Sequence, residues 1–322
     1  TNVGTYVAAA LLLGVFFAMQ SGTTDSIVYD TVVEETGASE QFERTIGRLR
    51  LFESVALVTG ALAGGGLAAV TSTRLTYFVT VPLVAASVPV LLRFREPTLH
   101  ESDGSESLRS QVATTYRTIL NRGCIRPVMV AMVLSSVLLQ SILEFGPLWM
   151  VALAAPAFLY GPHWAGLMAG LGLGGTLGGR LRFSDPATLA TVVAVMLGCS
   201  IALVTSHHTG VVIGSQVILA LLVVAVSIYL TKLLHDAVPS TIRAGVASGV
   251  GTLTWMAFLP FALGFGYVSK HAGVHVGGWL MVLTTAVTSA SVVTLALSRG
   301  PDSLPCRPNP SPLEPTAAAA RV

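Results

Sequence analysis

QSGTTDSIVYDTVVEETGASEQFERTIGRLR, Gln20 to Arg50, decides how the rest of the chain reads. It is the first long polar interval, and an apolar run of about 20 residues, enough to cross a bilayer, flanks it on each side. Its acids come first: Asp25, Asp30, Glu34, Glu35, Glu40 and Glu43. Its bases, Arg44, Arg48 and Arg50, come last, beside the following apolar run. That order fits a loop on the inner side of a membrane, where arginines are retained. Within it, Ser39 is placed to cap a short helix that carries Phe42, Ile46 and Leu49 on one face.

Composition sets the class. Apolar residues make up 52% of the chain and charged residues only 11%, against roughly 25% charged in soluble proteins. Mean hydropathy is +0.73, and the few charges are clustered, which leaves long runs without any. The chain therefore reads as an all-α, polytopic membrane protein whose first partner is the lipid bilayer. A net charge of +2 suggests no nucleic-acid partner. Cys124, Cys199 and Cys306 lie far apart and show no metal or disulfide spacing. The opening at Thr1 enters an apolar run without a basic leader or cleavage site, so it is expected to continue from an earlier segment.

Nine spans are expected, near 3–20, 52–71, 75–92, 128–148, 164–179, 187–205, 210–230, 244–268 and 276–297. With the Gln20–Arg50 interval inside and alternation from there, 16 of the 18 Lys and Arg residues fall inside; only Arg74 and Lys270 fall outside. The N-terminus of the chain is then outside and the C-terminus cytoplasmic, in the cell membrane. Between the third and fourth spans, Leu108, Val112, Tyr116 and Leu120 recur every four residues, the mark of an amphipathic helix. The expected organisation is three spans over 1–93, a cytoplasmic linker over 94–126, six spans over 127–299, and a disordered tail over 300–322 rich in proline and alanine.

That arrangement, together with SGTTDSIVYD and FERTIGRLR at 21–50, EFGPLWM at Glu144–Met150 and VPSTIRAGVASGVGTL at Val238–Leu253, resembles the major facilitator superfamily (MFS) of transporters. The resemblance implies helices four to twelve of a twelve-helix, six-plus-six bundle, with the first three helices missing. Two motifs depart from the family pattern. GTLGGRLR, Gly175–Arg182, carries Gly179 where an acid is expected, and GALAGGG, Gly60–Gly66, lacks the Gly-Pro pair of antiporters.

Candidate site residues follow. Ser136, Gln140 and Glu144 are spaced four apart and share one helix face. A carboxyl within the bilayer is expensive and faces a cavity or a partner. No basic residue shares its span, so Glu144 is the candidate coupling group for protons; the competing reading puts it at the outer mouth, in a packing contact. Gln216, Tyr229 and Tyr6 lie on spans that, by the resemblance, line the central cavity with helix seven. Asp25, Arg48, Arg50 and Glu53 form a candidate cytoplasmic gate. Small-residue rows at Gly166, Gly170, Gly174 and Gly178, at Gly60 and Gly64, and at Gly245 and Gly249 let helices approach closely, as static packing or as a moving interface.

No phosphate-binding loop, nucleophile–base pair or metal-ligand run appears, so neither an enzyme nor a cofactor is expected. The functional expectation is a secondary active transporter of a small organic solute, an efflux permease that works by alternating access. The alternatives are uptake by symport, or a scaffold or receptor on a degenerate transporter fold. A membrane-impermeant thiol reagent is expected to label Cys306 from the cytoplasmic side alone, with Cys199 protected inside the sixth span. Labelling of Cys306 from outside intact cells would refute the orientation.

Overall fold

The polar interval at 20–50 is a helical hairpin and not an open loop. In the computed structural model, which describes residues 4–5, 8–9, 12, 15–16, 23–37, 41–71, 73–93, 125–156, 159–238 and 240–297, α1 runs Thr23–Thr36 and α2 runs Phe42–Val70. Gly37, at φ 70°, ends α1, and its N–H donates to the Val33 carbonyl at 2.9 Å. Glycine adopts that left-handed conformation without a steric penalty. The buried face of α1 consists of Ser26, Tyr29, Asp30 and Val32. Their helical spacing hides from a hydropathy reading because only one of them is aliphatic. Phe42 and Ile46 are buried as expected, whereas Leu49 is exposed; Ser39 lies outside the described residues.

Beyond the hairpin come α3 (Thr73–Leu91), α4 (Arg126–Ala152), α5 (Tyr160–Gly178), α6 (Pro186–Thr205), α7 (Thr209–Ala237) and α8 (Ser240–Ala272). A short α9 (Val274–Gly277) precedes α10 (Trp279–Leu297). The described residues contain helices and no strand. Asp185 starts α6 by accepting from the Thr188 amide at 2.9 Å and the Thr188 hydroxyl at 2.7 Å, an N-cap arrangement with Pro186 following. These two bonds, the hydroxyl's first, hold the Asp185 carboxyl below the usual carboxylate range. The expected span at 276–297 lies within the single apolar stretch Val274–Leu297; Gly273, at φ 89°, ends α8 before it, and Gly278 separates the short α9 from α10.

Among the described residues, five helical stretches are long and apolar enough to cross a membrane: Arg126–Ala152, Pro186–Thr205, Thr209–Ala237, Gly245–Ala272 and Val274–Leu297. The expected first span falls mostly outside the described residues, as do the linker helix at 105–123 and the tail. α7 is the axis of the later helices. It packs on α4, α5 and α6 and also meets α1 and α2, and 61% of its apolar window is buried, against 22% for α8.

Two glycine rows on α5 set how tightly this axis is gripped. Gly166, Gly170, Gly174 and Gly178 face α7. A Cβ on Gly170 would sit 3.1 Å from the Val217 carbonyl oxygen, and one on Gly178 3.1 Å from that of Ala225. Gly174 leaves no room at all against the Leu221 carbonyl. The opposite row, Gly172, Gly175 and Gly179, faces α2, where a Cβ on Gly175 would lie 2.8 Å from Arg50 Cβ and one on Gly179 2.8 Å from the Glu43 carbonyl oxygen. Gly60, by contrast, meets nothing within 4 Å among the described residues; Gly245 is exposed, and Gly64 and Gly249 are half-buried.

The two kinds of glycine separate in a stability measurement. Gly174→Val forces α5 away from α7 and is expected to destabilise the folded protein by about 1–3 kcal/mol, the usual cost of overpacking. Gly60→Ala is expected to leave thermal unfolding in detergent unchanged or slightly raised, since alanine is the better helix former. Equal effects from both would refute the assignment of the rows.

Candidate functional site

A closed polar joint lies at the end of the bundle that carries the α1–α2 turn. Asp30 on α1 forms an ion pair with Arg243 at the start of α8. Asp30 is fully buried and Arg243 is 8% exposed. The Arg243 guanidinium also lies 4.2 Å over the ring of Tyr29 and donates to the Val238 carbonyl at 3.2 Å. Tyr29 donates its hydroxyl hydrogen to Asp236 on α7 at 2.6 Å, and Lys232 lies 3.5 Å from the same carboxylate. The His235 ring packs against Tyr29 and Phe42, with centroids 5.1 and 5.8 Å away. His235 and Asp236 do not pair with each other, as neighbours on a helix point apart; both reach Tyr29.

This joint ties the early helices to the late ones through charge, ring and hydroxyl contacts at once. A buried ion pair adds little net stability over an apolar contact of the same shape, but leaving one member alone costs roughly 3–5 kcal/mol.

Next to the joint, further from the turn, is a cavity in two adjoining lobes of about 270 and 330 Å³. Asp25, Arg50, Leu139, Ser227 and Thr231 line both lobes. The first lobe adds Glu53 and Ser54, closed by Phe42, Ile46 and Ile228. The second adds Ser135, Ser136 and Gln140 from α4, and Thr254 and Trp255 from α8. Arg50 sits at the centre, 3.0 Å from Asp25 and 3.0 Å from Glu53. At about 1.5 Å per residue, Arg50 is well up the hairpin from the turn and not on a surface loop. Ser54 donates to the Met168 carbonyl of α5, which pins the α2 wall of the cavity.

The sequence-stretch candidates divide accordingly. Asp25, Arg50 and Glu53 do come together, but within the cavity wall; Arg48 is exposed on α2 and is not part of the lining. Ser136 and Gln140 line the cavity, and the Gln140 amide donates to Glu144 at 2.9 Å. Glu144 itself is exposed on α4. Gln216 lies elsewhere: it is fully buried, its Oε1 accepts from His163 Nε2 at 2.6 Å and its amide nitrogen donates to the Gly146 carbonyl at 3.3 Å. It ties α4, α5 and α7 together. His163 is 1% exposed within α5. Tyr229 stacks on Phe183, centroids 4.9 Å apart, and does not line either lobe. Tyr6 lies outside the described residues.

Sequence reasoning missed the joint. Asp30 and Arg243 lie far apart in the chain, and no motif links them. The available signal was helical: in a helix beginning at Thr23, Ser26, Tyr29 and Asp30 are spaced three and four apart and share a face, so the acid and the ring both point at whatever packs on α1. Among the described residues no group of three or more His, Cys, Asp or Glu could hold a metal.

Five membrane-length helices among the described residues, with a polar cavity beside a buried ionic joint, make this a multi-pass membrane protein. Residues 1–264 match the Major Facilitator Superfamily, and the chain belongs to that family. Its members are transporters of small molecules across membranes, and this chain is a membrane transporter of that kind. A comparison with curated proteins finds no match.

The joint is open to a double-mutant test. Arg243→Gln and Asp30→Asn are each expected to lower stability by roughly 3–5 kcal/mol by stranding a buried charge. The double variant is expected to recover a large part of that loss, giving a coupling energy above about 1 kcal/mol in thermal unfolding. Simple additivity would mean that the two side chains do not act as a pair.

Proposed function

We propose that the protein is an efflux-type permease that carries a small organic solute outward across the cell membrane by alternating access. The joint of Asp30, Arg243, Tyr29 and Asp236 is the observation that carries this reading. It connects α1 to α7 and α8 directly beside a polar cavity, so making and breaking it controls one entrance to that cavity. With the inner side assigned by the arginine distribution, the closed entrance is the cytoplasmic one. Arg50, bridging Asp25 and Glu53, is the next layer: it forms part of the cavity wall when the joint is shut.

Alternating access in this architecture moves one set of helices against the other around a site at their interface. The row Gly172, Gly175 and Gly179 against α2 forms that interface, while the row facing α7 holds the later helices as a rigid unit. Ser136 and Gln140 are the substrate-facing groups on α4. Glu144 is the proposed coupling group for protons, and its hydrogen bond to the cavity-lining Gln140 supports that reading.

Gradient-driven flux in proteoliposomes made with the complete protein tests the reading, with right-side-out and inverted vesicles giving the direction. Arg243→Ala should make a cysteine at Ser136 reachable by an impermeant reagent from the cytoplasmic side, where the parent protects it. Glu144→Gln should keep substrate binding but lose dependence on the proton gradient. Unchanged accessibility in Arg243→Ala would remove the gate, and parental gradient dependence in Glu144→Gln would return Glu144 to a packing role.

A further inference from the structure

The charge of the cavity is unbalanced. Its lining holds two carboxylates, Asp25 and Glu53, and one guanidinium, Arg50. Arg50 is already committed to both acids, 3.0 Å from an oxygen of each. Glu144 adds a third carboxylate one helical turn from the lining Gln140, whose amide it engages at 2.9 Å. On the far wall Trp255, 59% exposed, presents its indole to the second lobe. Behind it a ladder of rings runs up α8, with Trp255 5.8 Å from Phe258 and Phe261 6.2 Å from Phe265. Phe145 of α4 stacks on Phe265 at 4.3 Å.

We propose that this cavity selects an organic cation that carries a flat apolar group, with Asp25 and Glu53 receiving the charge and Trp255 receiving the flat group. The proposal rests on the transporter reading above for its direction of travel, but not for its binding chemistry. An anion entering these lobes would meet two acids and an arginine whose charge they already neutralise. A cation meets a surplus of negative charge, and an exposed indole face attracts positive charge through the ring quadrupole. Arg50 then has a second role: it competes with the substrate for the same two carboxylates. Substrate arrival displaces it in part, which couples occupancy of the cavity to the α1–α2 hairpin on which Asp30 and Tyr29 of the joint lie.

That competition yields a sign test that a merely structural Arg50 would fail. Binding is measured by titration calorimetry on the complete protein in detergent, with benzyltrimethylammonium as the cation and phenylmethanesulfonate as an anion of similar size. The cation is expected to bind at least tenfold more tightly than the anion. Asp25→Asn is expected to weaken cation binding about tenfold, Trp255→Ala about threefold, and Arg50→Gln to strengthen it several-fold. Anion binding equal to or tighter than cation binding overturns the proposal, as does no cation binding at millimolar concentration; neither result depends on any variant folding. So does a loss of cation affinity in Arg50→Gln that matches Asp25→Asn. Flux separates the two readings: cation binding without gradient-driven flux keeps the assignment and removes transport, whereas flux of the anion alone keeps transport and removes the assignment.

Discussion

The ion pair between Asp30 and Arg243 is the constraint on which the described arrangement depends. Asp30 has no exposed surface, and a carboxylate in that position is tolerable only while a cation satisfies it. The pair joins a helix from the first part of the chain to one from the last. Around it, the ring of Tyr29 lies under the Arg243 guanidinium while its hydroxyl donates to Asp236. Because Arg243 and Tyr29 each meet more than one partner there, removing one member strands another in a dry interior.

The glycine rows set how closely α5 is held on its two sides. On one side of α5 they bring its backbone against the carbonyls of α7, which removes any gap for relative movement. On the other they bring it against α2, where Gly47 meets Gly175 backbone to backbone. In lipid no hydrophobic force holds helices together, so close approach of this kind supplies the van der Waals contact that packing requires. The Ser54 hydroxyl, donating to the Met168 carbonyl, is a polar cross-tie between these two helices beside the cavity.

Between joint and cavity the hairpin of α1 and α2 is the shared element. Asp25 and Arg50 face the cavity, Asp30 and Tyr29 face the joint, and Phe42 touches both. A helix is rigid over this length, so the position of Asp25 fixes that of Tyr29 one turn away.

Membrane residence, the all-helical class, the positions of most helices and the family were legible in the sequence, because apolar runs of bilayer length and a lopsided arginine distribution are one-dimensional signals. Ser136 and Gln140 were legible too, as polar residues four apart on an otherwise apolar helix. The hairpin was not, because its buried face is built of Ser26, Tyr29 and Asp30 and carries no hydropathy period. Nor could the sequence tell Gln216, which ties three helices in the core, from Gln140, which lines a cavity, since both are amides in apolar spans. Only the tertiary structure paired Asp30 with Arg243 and put Arg50 between Asp25 and Glu53. Burial and partnership are properties of three-dimensional neighbours, and distance along the chain carries almost no information about which distant helix a charge will meet.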